Sequence, residues 1–218
     1  MTILAATGLQ RERRLIEVPD IEVIAGGGDT VRLEAELDRL AGKARGIISI
    51  GIAGALVSGL TPGRWIVARA VFDDGKSMPT DPAWTSRLVA RLPQAATGLL
   101  IGTNAVVAEA AQKAALHQAT GADAVDMESH IVARVAGRHR LPFVAARVIS
   151  DAAGRTLPPA ARIGMRPDGA MDLPAVWRSL LREPLQLPAL IRTGLEAEWS
   201  FRALFRGCRR LGPGLGGP

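Results

Sequence analysis

Short apolar runs alternate along most of this chain with segments whose apolar residues recur every three or four positions. Short apolar runs bounded by glycine, proline and polar residues are typical of buried strands, and the intervening spacing is typical of helices with one buried face. Strands that alternate with helices in this way form folds in which helices cover a sheet. The alternation therefore predicts an α/β sandwich.

The predicted strands, in chain order, are residues 2–6, 21–25, 46–52, 65–72, 97–103, 122–127 and 143–149. The predicted helices are residues 29–43, a helix that starts at Asp81 and Pro82, and residues 129–139. Asp29 and Asp81 are suitable N-caps, because an aspartate side chain accepts a hydrogen bond from the first turn.

The chain changes character after Asp151. Four prolines make residues 152–174 loop-like, and the helical segment that follows at 173–211 is interrupted by Pro184 and Pro188. We predict one domain over residues 1–211, with a flexible, Gly/Pro-rich tail at 212–218.

Charge and cysteine content restrict the classes of protein that this chain can represent. The net charge is +6, with 27 Lys and Arg residues, but no basic platform with interleaved aromatic residues precedes the C-terminal part. We therefore expect no binding to nucleic acid. The single cysteine, Cys208, and the absence of a basic lead before the first apolar run predict a cytoplasmic protein without a signal peptide.

A glycine-rich stretch, SIGIAGAL, covers the end of the third predicted strand and continues to Leu56. Glycines at the end of a buried strand allow backbone N–H groups to approach a ligand closely. Gly51, Ala53 and Gly54 are therefore candidate ligand-binding residues. Tight packing or a turn explains the same glycines equally well.

The motif AVDMES lies where a strand runs into a helix, which is the edge at which α/β sheets bind ligands. Glu128 is a candidate for holding sugar hydroxyl groups. In the alternative interpretation, Asp126 or Ser129 only caps the following helix, and Met127 only fills the core.

The apolar strand PFVAARVISD contains Arg147 and ends in Ser150 and Asp151. A buried guanidinium group requires an anionic partner or a ligand, so this strand indicates a functional site. The alternative is a simple ion pair between Arg147 and Asp151.

Together, the stretches GIAGAL, AVDMES and ARVISD, in this order, resemble the nucleoside phosphorylase/nucleosidase superfamily. The resemblance implies a three-layer αβα sandwich with a central mixed, twisted sheet, and cleavage of the N-glycosidic bond of an adenine nucleoside. It implies that Asp151, oriented by Ser150, protonates the purine, while Glu128 holds the ribose hydroxyls and Met127 packs on the sugar. No cofactor or metal is implied.

The sequence does not settle the nucleophile, but the resemblance favours phosphorolysis, with hydrolysis as the alternative. The opening TGLQRER resembles the nucleosidase branch, in which a glutamate at the position of Glu12 activates water. Inorganic phosphate as co-substrate, which the family name favours, would be held by Arg147 and by backbone N–H groups of residues 51–54 or 26–28. Ile52 stands where many relatives have a serine that contacts phosphate or water. The missing hydroxyl weakens the case for phosphate and the case for water as the nucleophile.

The segment after Asp151, with LPPAARIGMRPDGAMDL, resembles the hopanoid-associated phosphorylases. These are thought to remove adenine from adenosylhopane, which implies a lipophilic 5′ group on the substrate. Aromatic and arginine residues within 189–211 predict peripheral contact with the inner face of the membrane, unless this helix packs on the sheet or on a second subunit. The resemblance also implies a homo-oligomer.

Two other interpretations fit the same residues. One is a methylthioadenosine/S-adenosylhomocysteine or futalosine-type nucleosidase with a small, closed 5′ pocket. The other is a non-catalytic nucleoside- or lipid-binding protein on the same fold, because a fold does not by itself determine function.

Overall fold

The structure is a computed structural model that describes residues 2–16, 18, 20–92, 94–163 and 172–218. In these residues the strands are β1 (Thr2–Thr7), β2 (Ile21–Ala25), β3 (Ala44–Ala55), β4 (Trp65–Asp73), β5 (Lys76–Pro79), β6 (Ala96–Gly102), β7 (Ala124–Asp126) and β8 (Phe143–Asp151). The α-helices are α1 (Gln10–Ile16), α2 (Thr30–Ala41), α3 (Pro82–Arg91), α4 (Ala110–Thr120), α5 (Ser129–His139), α6 (Pro159–Arg162), α7 (Leu173–Arg182) and α8 (Leu187–Leu211). Residues 166–169 (RPDG), which belong to the segment after Asp151 that resembles the hopanoid-associated phosphorylases, lie outside the described residues.

The strands form one mixed sheet. β1 pairs in parallel with β2 and β3, and β3 pairs in parallel with β8, whereas β8 runs antiparallel to β4. From β4 the pairing continues through β6 and β7 and returns to β3, so this part of the sheet closes on itself. The predicted central mixed sheet is confirmed.

Two hydrophobic clusters lie on opposite faces of the sheet, as the alternation of side chains along a strand requires. In β1, Leu4 and Ala6 pack into the cluster that includes residues of α2 and α5. Ile3 and Ala5 pack into the other cluster, with residues of α3 and α8. Helices therefore cover both faces, and the predicted three-layer αβα sandwich is confirmed.

The predicted helix caps form as expected. The Asp29 carboxylate accepts a hydrogen bond from the backbone N–H of Arg32, and the Asp81 carboxylate accepts one from Trp84. Trp84 and Leu88 are fully buried on the inner face of α3. These caps fix the residues at which the two helices begin.

Several elements differ from the sequence prediction, which does not include α1, β5 or α6. The sequence does not predict α4, because this helix is rich in alanine and shows no clear apolar stripe. Pro188 does not interrupt a helix, because it lies in the first turn of α8, where its missing N–H group is not needed.

The last residues are packed, whereas the sequence predicts a flexible tail at 212–218. Residues Pro213–Gly216 form a 3-10 turn in which Leu215 is fully buried. The indole N–H of Trp84 donates a hydrogen bond to the carbonyl of Leu215, at 3.1 Å. The apolar cluster beside α3 therefore holds a segment whose composition alone indicates disorder.

None of the helices within the described residues is long and apolar enough to cross a membrane.

Candidate active site

A cleft lies at the carboxyl ends of β1, β3, β7 and β8. The predicted site residues that line it are Glu12, Ala53, Gly54, Met127, Glu128, Ser150 and Asp151. Gly51 and Arg147 do not line it, and Arg147 is fully buried. The fold therefore brings together residues from distant parts of the sequence.

Glu12 is held by backbone N–H groups at the start of α1. One carboxylate oxygen, Oε2, accepts hydrogen bonds from Gly8 and Leu9, at 2.8 and 2.7 Å. The other, Oε1, accepts one from the backbone N–H of Ile52 at 2.7 Å. Burial raises the pKa of Glu12, although the nearby Arg147 charge and these hydrogen bonds oppose the increase. Glu12 is thus a rigidly oriented carboxylate whose remaining acceptor capacity is available at the cleft.

Gly51 gives space to Glu12 and Arg147 behind the wall of the cleft. A Cβ atom at this position would lie 2.5 Å from Oε1 of Glu12 and 2.7 Å from Nη1 of Arg147. Any side chain here would displace one of these two groups. Gly51 therefore permits Glu12 and Arg147 to approach each other closely, and it does not line the cleft.

Arg147 contacts two carboxylates and one hydroxyl, whereas its Nη1 has no hydrogen-bond partner among the described residues. Its Nε lies 2.9 Å from Oδ2 of Asp126, its Nη2 lies 3.1 Å from Oε2 of Glu128, and Nη2 also donates to the Ser49 hydroxyl. The simple ion pair with Asp151 therefore does not form. Because the guanidinium is fully buried beneath these partners, it does not reach the cleft.

Glu128 extends from the junction of β7 and α5 into the cleft. Burial raises its pKa from 4.5 to about 7, and the Arg147 charge partly offsets this effect. Asp126 instead caps the helix, since its Oδ1 accepts the backbone N–H groups of Glu128 and Ser129 at 2.9 and 2.8 Å. Both carboxylates of the motif AVDMES line the cleft, but Asp126 is engaged by the helix backbone.

Asp151 is oriented by two side chains. Its Oδ1 lies 2.6 Å from the Ser150 hydroxyl, which also lies 3.1 Å from the carbonyl of Ala53. Its Oδ2 accepts a hydrogen bond from Nζ of Lys113, a fully buried residue of α4. Opposite Ala53 and Gly54, β8 carries one extra residue, and such a bulge resets the alternation of side chains. The bulge explains why Asp151 and Arg147 have different partners.

Lys113 is the site residue that sequence reasoning missed. It lies in the alanine-rich helix α4, and no motif surrounds it. A lysine is seldom fully buried unless it is paired, but burial is not visible in the sequence. Because α4 has no apolar stripe, hydrophobic periodicity does not predict this helix either.

Three of the backbone N–H groups expected to bind phosphate are already paired. The N–H of Gly26 donates to the carbonyl of Thr7, the N–H of Gly27 donates to that of Gly8, and the N–H of Ile52 donates to Glu12. The charged side chains that line the cleft in the described part of the chain are carboxylates, without a lysine or arginine. An inorganic phosphate would therefore meet like charges and few free donors.

A mixed αβα sandwich with acidic residues gathered in one cleft at the ends of its strands defines an α/β protein with a candidate ligand-binding site. The chain belongs to the Phosphorylase superfamily, whose sequence profile matches residues 29–181.

Solved structures share this fold along almost the whole chain. One is a 5′-methylthioadenosine/S-adenosylhomocysteine nucleosidase from Streptococcus pneumoniae, bound to the transition-state inhibitor MT-ImmA. It is 15% identical to this chain with a TM-score of 0.65, and the match covers 97% of this chain and 100% of the nucleosidase. The futalosine hydrolase of Helicobacter pylori is 16% identical with a TM-score of 0.67 and covers 97% of each chain. Among curated protein sequences, none is significantly similar to this chain.

Proposed function

We propose that this protein hydrolyses the N-glycosidic bond of an adenine nucleoside. The observation that carries the proposal is the convergence of Glu12, Glu128 and Asp151 on one cleft. Family membership and the nucleosidases that share the fold support the same reaction.

Each of the three acids has a distinct task in this reaction. Asp151 donates a proton to the purine nitrogen, so that the base leaves as a neutral molecule. Glu128 accepts hydrogen bonds from the ribose hydroxyls, and these strengthen as the sugar becomes cationic in the transition state. Glu12 accepts a proton from water as the water attacks the sugar carbon.

Water is favoured over phosphate by the charges around the cleft. Arg147 and Lys113 are fully buried and paired with carboxylates, and neither lines the cleft in which a phosphate dianion would bind. Glu12, by contrast, is held by three backbone N–H groups and lines the cleft. Among the described residues, this arrangement orients a general base and places no lysine or arginine at the cleft.

The experiment is adenine release, measured by liquid chromatography with and without inorganic phosphate. The substrates are 5′-methylthioadenosine and an adenosine with a long 5′-alkyl group. We expect equal release in both buffers, with free ribose product and no ribose 1-phosphate. Release that requires phosphate would contradict hydrolysis, and no release from either nucleoside would overturn the proposed function.

A lipophilic 5′ substituent is the substrate feature that we favour, and adenosylhopane is the substrate that the sequence resemblance suggests. Leu9, Val106, Val107 and Leu157 line the cleft, and Val106 is 44% exposed. Apolar side chains at an open rim suit an alkyl chain better than a charged one. Faster turnover of the small thioether than of the alkyl adenosine would favour the alternative, a methylthioadenosine-type nucleosidase.

An exposed apolar stripe on the C-terminal helices supports peripheral contact with a membrane. Large apolar side chains recur along α7 and the first half of α8, mostly at four-residue steps, and all are exposed: Leu173, Trp177, Leu181, Leu185, Leu187, Ile191, Leu195 and Trp199. The second half of α8 packs on the sheet instead, with Leu204 and Cys208 fully or almost fully buried. The proposed contact thus shifts from 189–211 to 173–199.

Charge favours an anionic lipid surface as the occupant of this stripe. Residues 173–211 contain seven arginines and three glutamates, and the whole chain has a net charge of +6. A second copy of the chain would bring like charges together, whereas anionic lipids attract them. The carboxylates of Glu196 and Glu198 pair with Arg155 and Arg11, which links the stripe to the segments that border the cleft.

Vesicle sedimentation tests this contact. We expect the protein to sediment with phosphatidylglycerol vesicles, and the double change Leu195→Ser and Trp199→Ser to weaken binding by about tenfold or more, because buried apolar area is lost. Val31→Ser is the matched control, since Val31 is 78% exposed on a different helix, α2. Unchanged sedimentation of the double variant, or an altered oligomeric state without vesicle binding, would contradict the proposal.

A further inference from the structure

Lys113 is a buried cation that none of the three catalytic roles uses. All three N–H groups of its ammonium have acceptors: Oδ2 of Asp151, the carbonyl of Ala152 at 3.1 Å and the carbonyl of Arg155 at 3.0 Å. Its side chain is fully removed from solvent. A buried ammonium requires such a set of partners, but several neutral residues could hold the same two carbonyls at lower cost.

The geometry divides the two oxygens of Asp151 between different tasks. Oδ2 faces Lys113, and it lies 3.2 Å from the position that a Cβ atom on Gly54 would occupy. Oδ1 lies beside the Ser150 hydroxyl. Oδ2 is occupied as the acceptor of the ammonium, whereas the Ser150 hydroxyl that donates to Oδ1 has a second acceptor in the carbonyl of Ala53, at 3.1 Å. When the hydroxyl donates to Ala53, Oδ1 is the oxygen that can carry the transferable proton.

We propose that Lys113 is a positioning residue that stabilises the negative charge developing on Asp151 as the purine departs. The inference rests on the proposed function. In this step the Oδ1–H bond breaks, an N–H bond to the purine forms, and the electron pair of the C1′–N9 bond passes to the base. Asp151 changes from neutral to anionic directly beside a fixed ammonium.

An interaction of this kind is stronger in the transition state than in the ground state. The ammonium is already oriented by two carbonyl groups, so no reorganisation accompanies proton transfer. The ammonium is fully removed from solvent, which increases the electrostatic effect. Lys113 should therefore affect kcat more than KM.

The alternative is a purely structural role, in which Lys113 only anchors the segment from Asp151 to Arg155. The two roles make different predictions in a double-mutant cycle. Stabilisation of charge on Asp151 disappears when the carboxylate is replaced, whereas anchoring through the carbonyls of Ala152 and Arg155 persists.

The experiment measures kcat and KM for adenine release by Lys113→Met, Asp151→Asn and the double variant, with rates expressed per folded molecule. We expect Lys113→Met to lower kcat by about 100-fold in the wild-type background and by less than about threefold in the Asp151→Asn background. Lys113→Arg, which keeps the charge, should restore most of kcat. If Lys113→Met does not fold, Lys113→Gln replaces it, since an amide still donates to one of the carbonyls.

Equal losses in both backgrounds, or no rescue by arginine, would overturn the inference while leaving the proposed function intact. A wild-type protein that releases no adenine from either nucleoside would overturn both. The two failures are therefore distinguishable from the wild-type rate alone.

Discussion

Replacement of Glu12 by glutamine is expected to lower kcat for adenine release by about 10³-fold, because a general base is lost. The amide cannot accept the proton of the attacking water. Its NH2 group would also face the N–H of Ile52, which in the wild-type protein donates to Oε1 of Glu12. KM should change by no more than about threefold, since Glu12 is assigned no contact with the base. The measurement is the steady-state rate of adenine release, combined with calorimetric binding of adenine.

The matched control for this variant is Glu22→Gln, an identical change at an exposed position of β2. The control should retain wild-type kcat and thermal stability. Circular dichroism establishes that Glu12→Gln is folded, because three backbone N–H groups depend on this side chain. A folded Glu12→Gln variant that keeps more than about a tenth of kcat would exclude Glu12 as the base.

Replacement of Asp151 by asparagine should abolish proton donation to the purine, with a fall in kcat of about 10²- to 10⁴-fold. The amide N–H can still donate a hydrogen bond to the purine nitrogen, so binding of adenine should be retained. The same change weakens an acceptor of the buried Lys113 ammonium, which should lower the stability of the fold. Rates must therefore be compared per folded molecule.

The control for this variant is Asp29→Asn, because asparagine caps a helix as well as aspartate does and Asp29 only caps α2. We expect the control to match wild type in kcat and in stability. An Asp151→Asn variant that is folded, binds adenine and turns over at a rate near wild type would contradict the assignment of the acid. Loss of both binding and turnover would indicate a general collapse of the cleft.

These expectations share one physical basis, which is the separation of charged residues into two groups. Glu12, Glu128 and Asp151 line the cleft, whereas Arg147 and Lys113 are fully buried behind it. The buried cations compensate the acids without offering an anion site to solvent. This separation is the reason that we favour water over phosphate as the nucleophile.

Local sequence patterns are sufficient to predict most of the sheet and the acids at its edge. The strand β2 and the helix α5 begin and end at the predicted residues, because their apolar period is clear and their neighbours are turn or cap residues. The family resemblance of the motifs around Glu128 and Asp151 assigns these two acids to a common site, and both line the cleft.

The partners of the charged residues could not be predicted in the same way. Regular alternation along β8 puts Arg147 and Asp151 on one face of the strand, but the extra residue in the bulge separates them. Arg147 pairs with Asp126 and Glu128, and Asp151 pairs with Lys113, which is 38 positions away in the sequence.

The sequence by itself thus determined the layered α/β architecture and the acids at the edge of the sheet, because both depend on periodicity and on motifs within a few residues. Only the tertiary structure decided that Arg147 lies behind the cleft, that Lys113 reaches Asp151 and that Leu215 is buried beside Trp84. Burial and ion pairing arise between segments far apart in the chain, and no local pattern carries that information.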